Sequence, residues 1–276
     1  MAMTVRTNLS AIQSAGVLAR TNTALSKSLL RISSGQRITS AADDAARLGV
    51  AVDLQTGGRS VRQAMRNTND GISLIQTAES ASDAVTSMLQ RMRELAVQGA
   101  SETITSTERS YVDEEFQELL SEIDRVAAST EFSGLNVSDG TTTALQVQVG
   151  ITSSATNSQI TLRLGDLTAN SGLGVSALAI TSASAALTAL DALDTAINSV
   201  NGFRAQLGAV QNRMESSLNH SQAYSEALSA GYSSAMDLDF AEETANLTRN
   251  QIMQQAGISA MAQAKNINQG VIALLS

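Results

Sequence analysis

The chain has 276 residues with no proline, cysteine or tryptophan and only 3% aromatic residues, so its apolar content rests on Ala, Leu, Ile, Val and Met, a palette for long packed helices. Without cysteine there is no disulfide, thiol nucleophile or thiolate metal site, and stability must come from packing and partners. A net charge of −8 argues against a nucleic-acid partner, and no apolar run reaches the ~20 residues of a membrane span or the about 7–15 of a secretory signal core.

In the first arm Val5, Leu9 and Ile12 repeat by four and three, and Leu18, Leu25, Leu29 and Ile32 do so again, which predicts one amphipathic helix or two in series. Residues 1–42 carry Arg6, Arg20, Lys27, Arg31 and Arg37 with no acid, the look of an organellar transit peptide. Ser33-Ser34-Gly35 interrupts the pattern, and Ser40 followed by Asp43 resembles a capping box from which a second helix starts. From Asp43 to Gln98 apolar residues recur at helical spacing, with Gly57, Gly58 and Gly71 as weak points. If continuous, this helix would be ~84 Å long, against a radius of gyration of about 19 Å for a compact chain of this length, so a rod is expected. Val112, Phe116, Leu119, Ile123 and Val126 predict a third helix of roughly twenty residues returning antiparallel to the second.

The Gly-containing segment Glu131 to Gly140 ends that helix. Leu145, Val147 and Val149 alternate, as do Ile160, Leu162 and Leu164, which predicts a β-hairpin across Thr152 to Asn157. Asp166 to Ser184 is rich in Gly, Ser, Ala and Thr, with a third short strand expected at Val175 to Ile180. Helical spacing resumes at Leu187 and runs through Leu193, Ile197, Leu207 and Met214 towards Leu228, a helix of about forty residues or more. The last arm, Met236 to Ser276, sets Phe240, Leu247, Ile258, Met261, Ile267 and Ile272 among Gln, Asn, Ala and Ser, and carries four acids against two bases. Neither arm has enough apolar residues for a core of its own. Both are expected to be largely unfolded in the monomer and to become helical on association.

The single histidine, His220, sits among polar residues on a helix, the acids at Asp113-Glu114-Glu115 and Glu242-Glu243 diverge around their helices, and the scattered glycines form no phosphate loop. The residues therefore point to no catalytic site, no metal site and no cofactor, and to a protein that is not an enzyme. The expected fold class is mainly α: an elongated rod of long antiparallel helices, a coiled-coil-like bundle, with a small β-hairpin region in the centre of the chain.

Motifs at both ends resemble bacterial flagellins. In the first half these are Leu25 to Leu48 (LSKSLLRISSGQRITSAADDAARL), Arg66 to Glu79 (RNTNDGISLIQTAE), Leu89 to Val97 (LQRMRELAV), Glu122 to Val126 (EIDRV) and Phe132 to Val137 (FSGLNV). In the second they are Leu207 to Glu215 (LGAVQNRME), Met236 to Phe240 (MDLDF) and Glu242 to Ala264 (EETANLTRNQIMQQAGISAMAQA). Between Gly140 and Ser184, where larger flagellins carry outer domains, there is room only for the hairpin, so the chain resembles a minimal flagellin. The resemblance implies an N-terminal arm at 1–42 and a C-terminal arm at 236–276 in the inner filament core. It implies outer-rod helices at 43–140 and 185–235 and a variable hairpin region at 141–184.

What the resemblance further implies is a secreted, structural subunit of the extracellular flagellar filament, exported by the flagellar type III system with an uncleaved N-terminal signal and assembling as a helical homopolymer, with or without other flagellins. Its implied partners are hook-associated junction and cap proteins, an export chaperone on the C-terminal arm, and the vertebrate flagellin-sensing Toll-like receptor, with no nucleic acid and no membrane insertion. Leu25, Leu29, Ile32, Phe240, Leu247 and Ile258 are the expected packing knobs between the arms. Gln90, Arg91, Glu94, Leu95, Gln98 and Glu115 match the receptor-contact segment, with Arg91 and Leu95 expected on one helix face. Arg59, Arg62 and Arg66 are expected either to meet Glu114, Glu118 and Glu122 of neighbouring helices or subunits, or to form a solvated face. A hook-filament junction protein and an amphipathic membrane-surface protein are the alternatives. The full set of motifs weighs against the first, and the low charge and scarce aromatics against the second.

Overall fold

A computed structural model describes residues 7–275, with side chains for residues 7–266, so Val5, Arg6, Ile267 and Ile272 of the sequence pattern lie outside the described side chains. The elements in chain order are α1 (Leu9–Ser34), α2 (Ala45–Gly99), α3 (Ser106–Ser129), β1 (Glu131–Phe132), β2 (Leu135–Asn136), β3 (Ala144–Gln148), α4 (Ala155–Ser158), β4 (Gln159–Arg163), α5 (Ala183–Met236) and α6 (Phe240–Leu275). They group into two compact units, one of Met1–Thr56 with Ala227–Ser276 and one of Gly57–Glu226. The divisions fall inside α2 and α5.

In the Gly57–Glu226 unit, α2 turns Val85, Leu89, Met92 and Leu95 towards Phe116, Leu120 and Ile123 of α3 and towards Ala186, Ala189, Leu193 and Ala196 of α5, all buried in one cluster. The alanines on α5 let the helix backbones approach closely, and each large side chain taken fully out of water contributes roughly 1.5–3 kcal/mol. Gly58 and Gly71 leave α2 unbroken, and Gly71 lets Met214 of α5 approach closely enough that a β-carbon there would lie 3.1 Å from its Cε. α3 begins with a capping box in which Thr105 accepts from the Glu108 N–H and the Glu108 carboxylate accepts from Thr105. The spacing Thr105-x-x-Glu108 was there to be read.

The central segment differs from expectation in two places. Between Glu131 and Gly140 the chain makes a small antiparallel ribbon, Glu131 opposite Asn136 and Phe132 opposite Leu135. The strand expected at Val175 to Ile180 is a turn: the Val175 N–H donates to the Ala169 carbonyl and the Leu178 N–H to the Val175 carbonyl, while Val175 and Ile180 plug the helical core. Acids of α3 hold this segment in place. The Ala169 N–H donates to Asp124 and the Ile180 N–H to Asp113, so Asp113 is a structural acceptor rather than part of a solvated acidic face. The expected hairpin is present as β3 and β4, with Leu145 opposite Leu162 and Val147 opposite Ile160. Its period-two pattern buries Val147, Ile160 and Leu162 against Leu74, Ile75 and Ala78 of α2 and Leu207 and Met214 of α5.

In the other unit α1 stops at Gly35, whose φ of +68° is the left-handed helix cap. The chain then clasps the end of α5: the Arg37 N–H donates to the Met236 carbonyl (2.7 Å), the Leu238 N–H to the Gly35 carbonyl (3.1 Å), and Ile38, Ala51 and Met236 form a small core. α2 starts at Ala45, and its cap is not the Ser40–Asp43 box: Asp44 accepts from the Arg47 N–H (2.9 Å). Asp43 is occupied elsewhere, accepting from Lys27 (3.0 Å), Thr39 and Ser40.

Two outcomes follow. A β-carbon on Gly99 would lie 2.0 Å from Ile180 Cγ2, so Gly99→Ala is expected to destabilise the Gly57–Glu226 unit by about 1–3 kcal/mol, as in other overpacked cores, despite alanine's better helix propensity. Thermal melts of Gly99→Ala with and without Ile180→Ala should show the two changes coupled. The Asp43 carboxyl is held well below the usual carboxylate range, first by the Lys27 hydrogen bond and then by Thr39. Its folded value is depressed, so its contribution is present above pH ~3.9 and lost as pH falls through the folded value. Carboxylate NMR should find Asp43 titrating at abnormally low pH, and Lys27→Ala should move the midpoint up.

Candidate assembly surface

The arms meet as α1 and α6, antiparallel, joined by polar contacts and by half-buried Leu18, Leu25, Ile32, Leu247 and Met261. Asn8 donates to the Ala264 carbonyl (2.9 Å), Gln254 donates to Asn22 (2.8 Å), and Arg31 lies 3.9 Å from the Glu243 carboxylate. The positions buried along this seam are Thr21, Ser28, Glu243 and Ala264, small or polar residues that contribute little hydrophobic stabilisation. Other large apolar side chains point the other way. Leu9, Ile12, Val17 and Leu30 of α1, and Ile252 and Met253 of α6, are exposed.

The expected packing knobs divide. Leu25, Ile32 and Leu247 are half-buried, but Leu29 (51% exposed), Phe240 (53%) and Ile258 (55%) face outwards. The reason is a count of faces: two helices paired along one seam each leave most of their circumference open, so an apolar stripe wider than the seam must present residues outside it. In the same unit a shallow, largely apolar groove of about 370 Å³ is lined by Ala46, Arg47, Val50, Leu54, Gly231, Ser234 and Ala235.

On the Gly57–Glu226 unit the expected contact residues divide. Arg91 donates to Glu115 (2.8 Å) and to Glu94 (3.0 Å), so these three form one exposed charged cluster, while Gln90 and Gln98 are exposed on the same helix. Leu95 does not share that face. It is 2% exposed and packs in the helical core, because the seam with Val85, Leu89 and Met92 claims it. The basic face also divides: Arg66 donates to Gln63 and Glu122 accepts from Arg125 on its own helix, so neither is free for the expected cross-helix pairing. Glu122 and Asp194 have lowered pKa values through their hydrogen bonds from Arg125 and Arg93. His220 is exposed and stacks on Tyr224 one turn away, with ring centroids 6.3 Å apart. Among the described residues no helix is long and apolar enough to cross a membrane.

Residues 5–143 match the bacterial flagellin N-terminal helical region, and residues 190–275 match the bacterial flagellin C-terminal helical region. A flagellin of Halalkalibacterium halodurans is 41% identical over 249 residues, covering 90% of this chain and 91% of that one. A flagellar filament 33 kDa core protein of Treponema phagedenis is 36% identical, covering 99% of this chain and all of the other. Among solved structures, Bacillus cereus flagellin superposes with a TM-score of 0.50 at 32% identity, covering 56% of this chain and 88% of that one. With both terminal regions matched, and relatives aligned over nearly its whole length, the chain belongs to the bacterial flagellins, which are structural filament proteins and not enzymes.

Proposed function

We propose that α1 and α6 are completed by neighbouring copies, and that burying their outward apolar faces drives growth of the filament. The observation that supports this is the exposure of Leu29, Phe240, Ile252 and Ile258 on a helix pair whose seam fully buries only small or polar residues. A surface of that kind is costly in a lone chain and characteristic of an interaction face. Such a chain reaches the cell exterior through the flagellar type III route, with an export chaperone covering the C-terminal arm, and its ends also meet hook-associated junction and cap proteins. Leu29→Asp and Ile258→Asp are expected to raise the critical concentration for seeded growth by tenfold or more. Because both residues are already half exposed, the monomer's melting temperature should change little. Circular dichroism during growth of the unmodified chain should show helix gained as the arms associate. Equal helicity in monomer and polymer, or unhindered growth of Leu29→Asp, would sink the idea.

We also propose that the monomer is a ligand of the flagellin-sensing Toll-like receptor through Arg91, Glu94 and Glu115, with Gln90 and Gln98 beside them and Leu95 acting only as the packing under that face. Support comes from the three charged side chains sharing one exposed cluster on α2 and α3. Arginine is a frequent anchor of interfaces, and its truncation there costs ~2 kcal/mol or more. In a receptor reporter assay, Arg91→Ala should weaken the response at least tenfold while leaving the helix signal intact. A full response from folded Arg91→Ala would reject the assignment.

A further inference from the structure

Most of the described arginines are engaged. Arg91, Arg93, Arg125 and Arg204 hold carboxylates, Arg37 and Arg109 hold carbonyls, and Arg66 holds Gln63. Arg163 and Arg213 are different: among the described residues neither side chain makes an ion pair or a hydrogen bond, yet both line one groove of about 350 Å³ with Thr161, Gln206, Ala209 and Val210. The local fold puts them there. β4 turns Ile160 and Leu162 into the core, so Thr161 and Arg163 must face outwards. α5 turns Leu207 and Met214 inwards, so Gln206, Val210 and Arg213 flank that side at helical spacing. Two guanidiniums, a hydroxyl and an amide around an apolar base suit a pair of carboxylates, which accept several hydrogen bonds each.

The complementary feature is on α3. Glu114 and Glu118 are one turn apart, both exposed, and among the described residues they are the one pair of acids at that spacing with neither an ion pair nor a hydrogen bond. Carboxylates at i and i+4 lie ~5–6 Å apart and repel one another unless cations lie opposite. Glu115 and Glu122, their neighbours, are already neutralised by Arg91 and Arg125.

We propose that the groove between β4 and α5 seats Glu114 and Glu118 of a second copy of this chain, an inter-subunit contact that rests on the filament reading above. Within one chain neither pair has found the other. Between copies, two unpaired cations meet two unpaired anions in a concave site that excludes more water than a helix surface does. Arg59 and Arg62 are also without an ion pair, but they project from the side of α2, where a charge pair is worth only about 0–1 kcal/mol.

The test is charge reversal in seeded polymerisation of the full chain, with circular dichroism confirming each fold. Arg163→Glu/Arg213→Glu and Glu114→Arg/Glu118→Arg should each raise the critical concentration at least tenfold, and the fourfold variant combining them should recover to within threefold of the unmodified chain. Should a reversal fail to fold, Arg163→Gln/Arg213→Gln serves instead, and it should raise the critical concentration and abolish most of its salt dependence. Normal growth of the folded Arg163/Arg213 variants would overturn the contact. So would failure of the fourfold variant to recover, or recovery of Glu114→Arg/Glu118→Arg by Arg59→Glu/Arg62→Glu. Binding of inorganic phosphate that is lost in Arg163→Gln/Arg213→Gln, with growth unaffected, would give the groove to a small anion instead. If the unmodified chain does not grow from seeds at all, the filament reading itself falls, an outcome separate from every other.

Discussion

The governing constraint is the uneven supply of apolar burial along the chain. The Gly57–Glu226 unit owns two clusters built on Leu89, Met92, Phe116, Ile123 and Leu193, and on Ile75, Leu162, Leu207 and Met214. The unit of the two chain ends has Ile38, Ala51 and Met236. Ordering a residue costs roughly 1–2 kcal/mol of backbone entropy, and only buried apolar area offsets that on the scale of a domain. The first unit can meet that requirement from its own sequence. The second has fewer fully buried apolar residues among those described, and that shortfall is what the proposed completion by neighbouring copies would supply.

Much of the helical framework was legible because nothing in it competes with periodicity. Leu89, Met92, Phe116 and Ile123 recur at helical spacing, no proline interrupts them, and the helices follow; Val147, Ile160 and Leu162 alternate, and the hairpin follows. Reading failed where apolar residues serve a turn rather than a repeat. Val175 and Ile180 look like strand residues, but their backbone donors go to Ala169 and, across the fold, to Asp113 on α3, a partner sixty-seven residues away that no local pattern reveals.

The functional surface was less legible for a related reason. A leucine at helical spacing is the same letter whether it faces the core or a partner. Leu95 was expected on the surface and lies in the core, while Leu29 and Ile258 were expected in a seam and lie outside it. What decides between these outcomes is how many other helices surround each one. α2 has α3 and α5 at its side along the Leu95 segment, whereas α1 has α6. Charges were harder still, since Glu115 and Glu118 differ only in whether an arginine of another helix reaches them.

The pairing of the chain with itself is nested. Within the Gly57–Glu226 unit Arg93 meets Asp194, Asp83 meets Arg204 and Gly71 meets Met214; within the other, Arg31 meets Glu243, Asn22 meets Gln254 and Asn8 meets Ala264. Closing a loop costs entropy that grows with the logarithm of its length, and a loop already closed inside another shortens what remains. Among the described residues the outermost of these contacts, Asn8 with Ala264, spans 256 residues and closes a much shorter loop once the inner pairs exist. In each unit, therefore, every inner pair lowers the entropy cost of the next pair outwards, so contacts far apart in sequence become local ones in effect.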